Sequence, residues 1–141
     1  MKTTPAQVIR ECACIRVRRA SRAVTRSFDE AVRPLGIKAT QFALLVAVSE
    51  RSCASTTEHA ERLGMERTTM VRNLQLLEKQ GYIKSQLDGL RRIPALTRLG
   101  REILMKALPL WRAAQDRLRA DLGPNLWASV LSNLDALNRR P

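Results

Sequence analysis

The most constraining stretch of this chain lies between Ser55 and Gly81, where a helix start, a glycine and a second helix start follow in quick order. Ser55-Thr56-Thr57-Glu58 has the Ser-x-x-Glu form of a capping box, in which a hydroxyl and a carboxylate satisfy orphan amides reciprocally. The helix it opens is expected to end at Leu63-Gly64, because glycine tolerates the left-handed backbone of a helix stop. Glu66 is placed to cap a second helix, which runs to Gln80 and stops at Gly81. Met70, Leu74 and Leu77, with Val71 beside them, recur at the spacing of one helical face and predict its buried stripe. The opposite face then carries Arg67, Thr68, Thr69, Arg72, Asn73 and Gln75. Two short helices joined through Gly64-Met65 make the pattern of a helix-turn-helix.

Flanking segments extend this pattern. Tyr82-Ile83-Lys84-Ser85-Gln86-Leu87 reads as a strand, Asp88-Gly89 as a turn, and Arg91-Arg92-Ile93-Pro94-Ala95-Leu96 as a returning strand, which together predict a small hairpin, or wing. Pro94 has no amide for a ladder and is expected at an edge, with the missing N–H facing solvent. Thr97 caps a long helix through Ile103, Leu104, Ala107, Leu108, Trp111 and Leu118 to about Leu122, and Pro109 is expected to kink or open it. Beyond Gly123-Pro124, a last helix puts Leu126, Trp127, Val130, Leu131, Leu134 and Leu137 on one face. Upstream, Val17, Ala20, Val24, Phe28, Ala31 and Leu35 mark one long first helix ending near Pro34-Leu35-Gly36. A second helix, from about Ala39 to Glu50, buries Phe42, Leu45, Val46 and Val48. Its start is expected to be poorly capped, since Lys38 stands where an oxygen-bearing side chain belongs.

The 141 residues amount to one domain, and 25 Lys+Arg against 13 Asp+Glu leave a net charge of +12. Self-repulsion on so small a body is most often relieved by a polyanion such as nucleic acid, or by an anionic membrane face. Between Glu66 and Arg92 there are 6 basic and 3 acidic residues, so most of the excess lies elsewhere, especially on the first helix. There Arg18, Arg22 and Arg26 recur every four residues, as a solvated face flanking an interface would, or as a row of phosphate contacts at the edge of a DNA-binding lobe. No run approaches the roughly 18 apolar residues of a membrane span. Met1-Lys2-Thr3-Thr4-Pro5 lacks the apolar stretch of a secretory signal, so the expected location is the cytoplasm, with no membrane partner. Cys12, Cys14 and Cys53 are odd in number and, with His59 as the lone histidine, make a poor zinc set. Reduced thiols, no metal and no cofactor are expected. His59 is expected to face phosphate or solvent.

The chemistry concentrates on the helix that begins at Glu66. A DNA major groove admits one helix, whose first turns meet the base edges. Arg67 and Arg72 can bridge guanine O6 and N7, Asn73 can pair with adenine, and Thr68 and Thr69 offer a methyl for thymine and a hydroxyl for phosphate. Thr56 and Thr57 on the preceding helix, and Arg91 and Arg92 on the hairpin, complete the candidate DNA-binding set.

The run Ala60-Glu61-Arg62-Leu63-Gly64-Met65-Glu66-Arg67-Thr68-Thr69-Met70-Val71-Arg72-Asn73-Leu74, then Leu77-Glu78-Lys79-Gln80-Gly81-Tyr82-Ile83 and Leu96-Thr97-Arg98-Leu99-Gly100-Arg101, resembles the MarR family of bacterial winged helix-turn-helix repressors. Arg18-Arg19-Ala20-Ser21-Arg22-Ala23-Val24-Thr25 and the stretch from Leu35-Gly36 to Gln41-Phe42 extend the resemblance to nearly the whole chain. It implies a mainly α fold with a small β-hairpin wing, in which residues 1–34 and 98–141 supply long dimerisation helices and 35–97 form the DNA-binding lobe. It also implies a homodimeric repressor on a pseudo-palindromic duplex, released by a small aromatic or phenolic effector. The wing departs from the family pattern, since Asp88-Gly89-Leu90 has leucine where an arginine usually enters the minor groove. Arg91 or Arg92 is expected to take over that contact, with weaker wing readout.

Trp111, Phe42 and part of the first helix, including Cys14, form the candidate effector pocket, against the plainer reading of Trp111 as core. Similarity to the peroxide-sensing branch places Cys14 near the sensing position, but Arg18 and Phe28 replace the tyrosines that partner it there. A peroxide-responsive regulator and a non-specific architectural DNA-binding protein therefore stand as alternatives. Enzymatic function is not expected: one histidine, no phosphate-binding glycine loop and no clustered carboxylates leave nothing from which to assemble catalysis.

Overall fold

The computed structural model describes residues 2–139, and the outermost expected boundaries, residues 1 and 141, lie outside them. Seven α-helices and one hairpin follow in order among the described residues: α1 (Pro5–Glu11), α2 (Ala13–Val32), a 3-10 turn (Arg33–Leu35), α3 (Ala39–Glu50), α4 (Thr56–Arg62), α5 (Arg67–Lys79), β1 (Ile83–Asp88), β2 (Arg91–Leu96), α6 (Arg98–Leu122) and α7 (Pro124–Asn138). The expected first helix is α2, and a short helix not expected from the sequence, α1, precedes it; Cys12, with an extended backbone (φ −66°, ψ 114°), ends α1 and opens α2.

Local caps account for most boundaries. Ser55 Oγ accepts from the Glu58 amide at 3.2 Å, and Glu58 accepts from the Ser55 amide at 3.4 Å, so the capping box forms as read. Both helices of the pair stop in the same way. Gly64 (φ +62°) donates to Glu61 and Met65 to Ala60, while Gly81 (φ +83°) donates to Glu78 and Tyr82 to Leu77. Each is a Schellman closure, and each needs the left-handed backbone that glycine adopts without penalty.

Two caps differ from expectation. Glu66 occupies the N-cap of α5 without a side-chain bond to it. At α3 the deficit at Lys38 is made good by other residues: Gln41 accepts the Lys38 amide at 2.9 Å, and Asp29, reaching over from α2, accepts the Ala39 amide at 2.8 Å. The helix Arg98–Leu122 is continuous through Pro109, so of the two effects expected of this residue, a kink or an opening, the opening does not occur. The bond Pro109 cannot donate would have gone to the carbonyl of Met105, an exposed residue where water can serve instead.

The core lies where α3, α5, β1 and α6 meet. Leu44, Leu45 and Val48 of α3, Met70, Leu74 and Leu77 of α5, Ile83 of β1 and Leu104 and Ala107 of α6 are all buried in it. Helix α3 is buried almost all round, and its Gln41 side chain is satisfied by donating to Gln80 at 3.2 Å. Gly100 sets the approach of α6 to the hairpin. A Cβ there would lie 2.0 Å from the Tyr82 carbonyl oxygen, which already accepts the Thr97 amide at 3.0 Å.

The strands pair antiparallel from Ile83↔Leu96 to Asp88↔Arg91, around a two-residue turn at Gly89-Leu90. Asp88↔Arg91 is the hydrogen-bonded pair that closes such a turn, so Arg92 and Pro94 direct their backbone groups away from β1. That is the edge expected for Pro94, but it does not face water. Pro94 is buried, and the neighbouring Arg92 carbonyl accepts the Thr56 hydroxyl at 3.2 Å.

Candidate DNA-binding surface and ligand cavity

Helix α5 presents its polar face outward as the apolar spacing required. Arg67, Thr68, Arg72 and Gln75 line one shallow surface depression together with Val71. Neither Arg67 nor Arg72 has an ion-pair partner among the described residues, so both guanidinium groups are available to an anion. Thr69 and Asn73 sit one stripe round and are half-buried, with the Asn73 amide donating to the Thr69 carbonyl at 2.9 Å.

The rest of the expected contact set divides. Thr57 is exposed, whereas Thr56 is buried and spends its hydroxyl on the Arg92 carbonyl, so it braces the hairpin rather than facing outward. Arg91 pairs with Glu58 of the capping box, and Arg92 is exposed and has no such partner among the described residues. Glu58 is thus a member of the surface that sequence reasoning assigned only to capping. The Arg91 guanidinium, then the Ser55 hydroxyl and amide, hold its carboxyl below the ordinary value of 4.5. On the inner face of the hairpin, the Ser85 hydroxyl donates to Glu78 of α5.

His59 corrects an expectation. It is buried rather than solvated, and neither ring nitrogen has a hydrogen-bond partner among the described residues. Burial, then the charge of Arg62 and, more weakly, that of Arg51, push its pKa below 6.5, against an opposing pull from Glu58. The helical face of α4 explains the placement: His59 follows Thr56 by one turn, and both point inward.

A cavity of about 420 Å³ opens between α2, α3 and α6. Val24, Thr25 and Phe28 line it from α2, Phe42, Ala43 and Val46 from α3, and Leu108 and Trp111 from α6, with Ala39 and Leu63. Phe42 and Trp111 stack with ring centroids 6.4 Å apart and planes inclined by 24°. The structure therefore brings together two of the three residues expected in an effector pocket. Cys14 is not among the lining residues; it is an exposed thiol on α2, not a buried one. The first helix does contribute to the wall, but through Val24, Thr25 and Phe28 rather than Cys14; Val24 and Phe28 fall on the same apolar stripe as core positions, and periodicity cannot separate a wall from a void.

A sequence model of the MarR family matches residues 35–92. The M. tuberculosis transcriptional regulator MosR superposes with a TM-score of 0.83 at 36% identity, over 93% of this chain and 96% of that one. The chain belongs to the MarR family. A second structure of MosR, in complex with DNA, matches this MarR-family chain at 37% identity and a TM-score of 0.81, over 90% of this chain and 93% of that one. The transcriptional repressor CouR, bound to p-coumaroyl-CoA, matches at 27% identity and a TM-score of 0.87, over 99% of this chain and 100% of that one. No curated protein sequence matches it. The family's winged-helix architecture is the fold described above.

Proposed function

We propose that this MarR-family protein is a homodimeric, sequence-specific transcriptional regulator that represses by occupying a pseudo-palindromic duplex and lets go when a small ligand enters the cavity. The observation that carries this reading is the outward face of α5. Two arginines without an ion-pair partner among the described residues and a threonine stand side by side on a helix whose stop and buried stripe are engaged within the protomer. Such a helix fits a major groove, with Arg72 reading a base and the exposed Arg92 reaching the backbone or minor groove. MosR in complex with DNA and CouR bound to p-coumaroyl-CoA support the two halves of the reading.

Dimerisation rests on the helices that the protomer leaves unfinished. Helix α7 has no buried residue, although Leu126, Leu131, Leu134 and Leu137 are apolar, and Val8 and Ile9 of α1 are likewise exposed. A 15-residue helix is marginal without tertiary packing, so a second copy is the natural cover. On this reading, residues 1–34 and 98–141 form the dimer arms and 35–97 the reading lobe. The two α5 helices then sit about one DNA turn, roughly 34 Å, apart. Working on DNA, the protein acts in the cytoplasm. No single helix among the described residues is long and apolar enough to cross a membrane.

Selection of bound duplexes from a random pool tests the proposal. A regulator enriches one inverted repeat and prefers it over random duplex by about a thousandfold or more at physiological salt. Binding without enrichment would make the protein architectural, and no duplex binding would remove the DNA role.

A further inference from the structure

The lobe that holds α5 carries an apolar feature that its core does not absorb. Leu87 and Leu90, at the end of the hairpin, are the two most exposed large apolar side chains among the described residues, Leu90 fully and Leu87 by 74%. The turn itself does not call for leucine. Gly89 takes the left-handed backbone (φ +62°) as the first central residue, and the second position, Leu90, would accept a polar side chain as readily. A Cβ on Gly89 would meet nothing within 4 Å, so the tip stands clear of the rest of the protomer. Apolar surface left in water favours whatever covers it.

Charge and bracing identify the cover. Side chains alternate across a strand, so Leu87 shares the face of Ser85, which donates to Glu78 of α5, and Arg92 stands opposite Leu87 in the register. Asp88 and Arg91 fall on the other face, where Arg91 pairs with Glu58. The face turned to α5 thus ends in a leucine opposite an exposed arginine that has no ion-pair partner among the described residues. A duplex groove offers both complements, phosphates at its rims and stacked bases between them. The support is stiff, because the Thr56 hydroxyl holds the Arg92 carbonyl at 3.2 Å and Pro94 is buried. Six-residue strands carry the tip about 20 Å from the hairpin root, close to the half-turn of roughly 17 Å that separates a major groove from the next minor groove. Apolar side chains brought to a minor groove on such a support part a base step and bend the duplex, most cheaply at pyrimidine–purine steps.

We propose that Leu90, backed by Leu87, is a minor-groove wedge that parts one pyrimidine–purine step beside the α5 half-site and so adds a sequence preference where α5 does not reach. This deepens the DNA reading above and rests on it. The test uses the full chain on the selected duplex, with 2-aminopurine replacing adenine in turn at each pyrimidine–purine step flanking a half-site, so that unstacking registers as fluorescence. Binding should at least double the signal at one step per half-site. Leu90→Ser should abolish that rise, weaken binding about tenfold or more and erase the preference for the step. Its salt slope and thermal midpoint should not change, since a fully exposed side chain contacts no phosphate and supports no packing. Leu90→Arg should also lose the rise, while steepening the salt slope by about one unit. Unaltered fluorescence and affinity in Leu90→Ser overturn the wedge. So does a Leu87→Ser, Leu90→Ser double variant that falls to monomer in sedimentation, which would make the tip a contact between copies. A wild-type chain that binds duplex without unstacking any step removes the wedge alone, whereas one that selects no duplex removes the DNA reading and the wedge with it.

Discussion

The segment from α3 through the hairpin and the helices at the two chain ends solve the burial problem in opposite ways. Leu44, Leu45, Met70 and Leu77 are shielded entirely by side chains of the same protomer, whereas α1 and α7 bury nothing. The charge divides along the same line. Residues 1–34 hold 8 basic and 3 acidic residues, and Arg18, Arg22 and Arg26 of α2 are all exposed. A lobe with its own core can hold α5 rigid for reading DNA. Apolar arms with a basic surface are built for a second chain and for long-range attraction, which is felt over about a Debye length and screened by salt.

The largest effect that would break this contrast is on assembly. Leu131→Asp together with Leu134→Asp should convert the dimer to monomer in sedimentation and cut operator affinity by about 100-fold or more, since two half-sites no longer bind as one. The lobe's thermal transition should survive, and a persistent dimer would show that α7 is not the seam. Gly100→Ala probes the joint between lobe and arm: with the Tyr82 carbonyl in the way, α6 must shift, at a cost of about 1–3 kcal/mol. Thermal unfolding should register this as a midpoint lowered by several degrees.

Within the lobe, Arg72→Ala should cost about 1–3 kcal/mol of operator binding and relax one position in each half-site. A loss uniform over all sequences would make Arg72 a phosphate contact instead. On the wing, Arg92→Ala should reduce the salt slope by about one unit, and Arg91→Ala by less, because Glu58 already holds Arg91. Lowering the pH through the depressed pKa of Glu58, below 4.5, protonates the carboxylate and loses this tie, which is fully present above the unfolded value. The smallest expected effect belongs to His59. Its folded pKa lies below 6.5, so the unfolded chain binds the extra proton first, and stability is fully present above pH 6.5 and declines as pH falls toward the folded value. The slope is at most about 1.4 kcal/mol per pH unit. His59→Leu should flatten that part of a denaturation series, and an unchanged slope would assign it to other groups.

Much of the lobe was legible in the residues because its signals are short-range. The Ser55–Glu58 box, the stops at Gly64 and Gly81, the glycine turn, which lies at Gly89-Leu90, one residue beyond the expected Asp88-Gly89, and the Met70, Leu74, Leu77 stripe each involve residues within a few positions of one another. The readings that failed depend on elements far apart in the chain. Asp29 caps α3 from ten residues upstream, Thr56 is drawn to Arg92 across 36 residues, and Arg91 to Glu58 across 33. Cys14 was placed by alignment with a family position, yet its neighbours in space leave it exposed and outside the cavity.

What the residues determined by themselves was the order of helices and hairpin and the outward face of α5, because caps, glycine stops and a 3.6-residue period are written in neighbouring positions. Only the tertiary structure decided that His59 is buried, that Thr56 braces the wing, that Gly100 must lack a side chain, and that Thr25, Phe42 and Trp111 surround an empty space. Burial and voids are properties of how elements meet. An apolar stripe shows the same period whether it closes on a neighbour or stands away from it, and packing alone distinguishes the two.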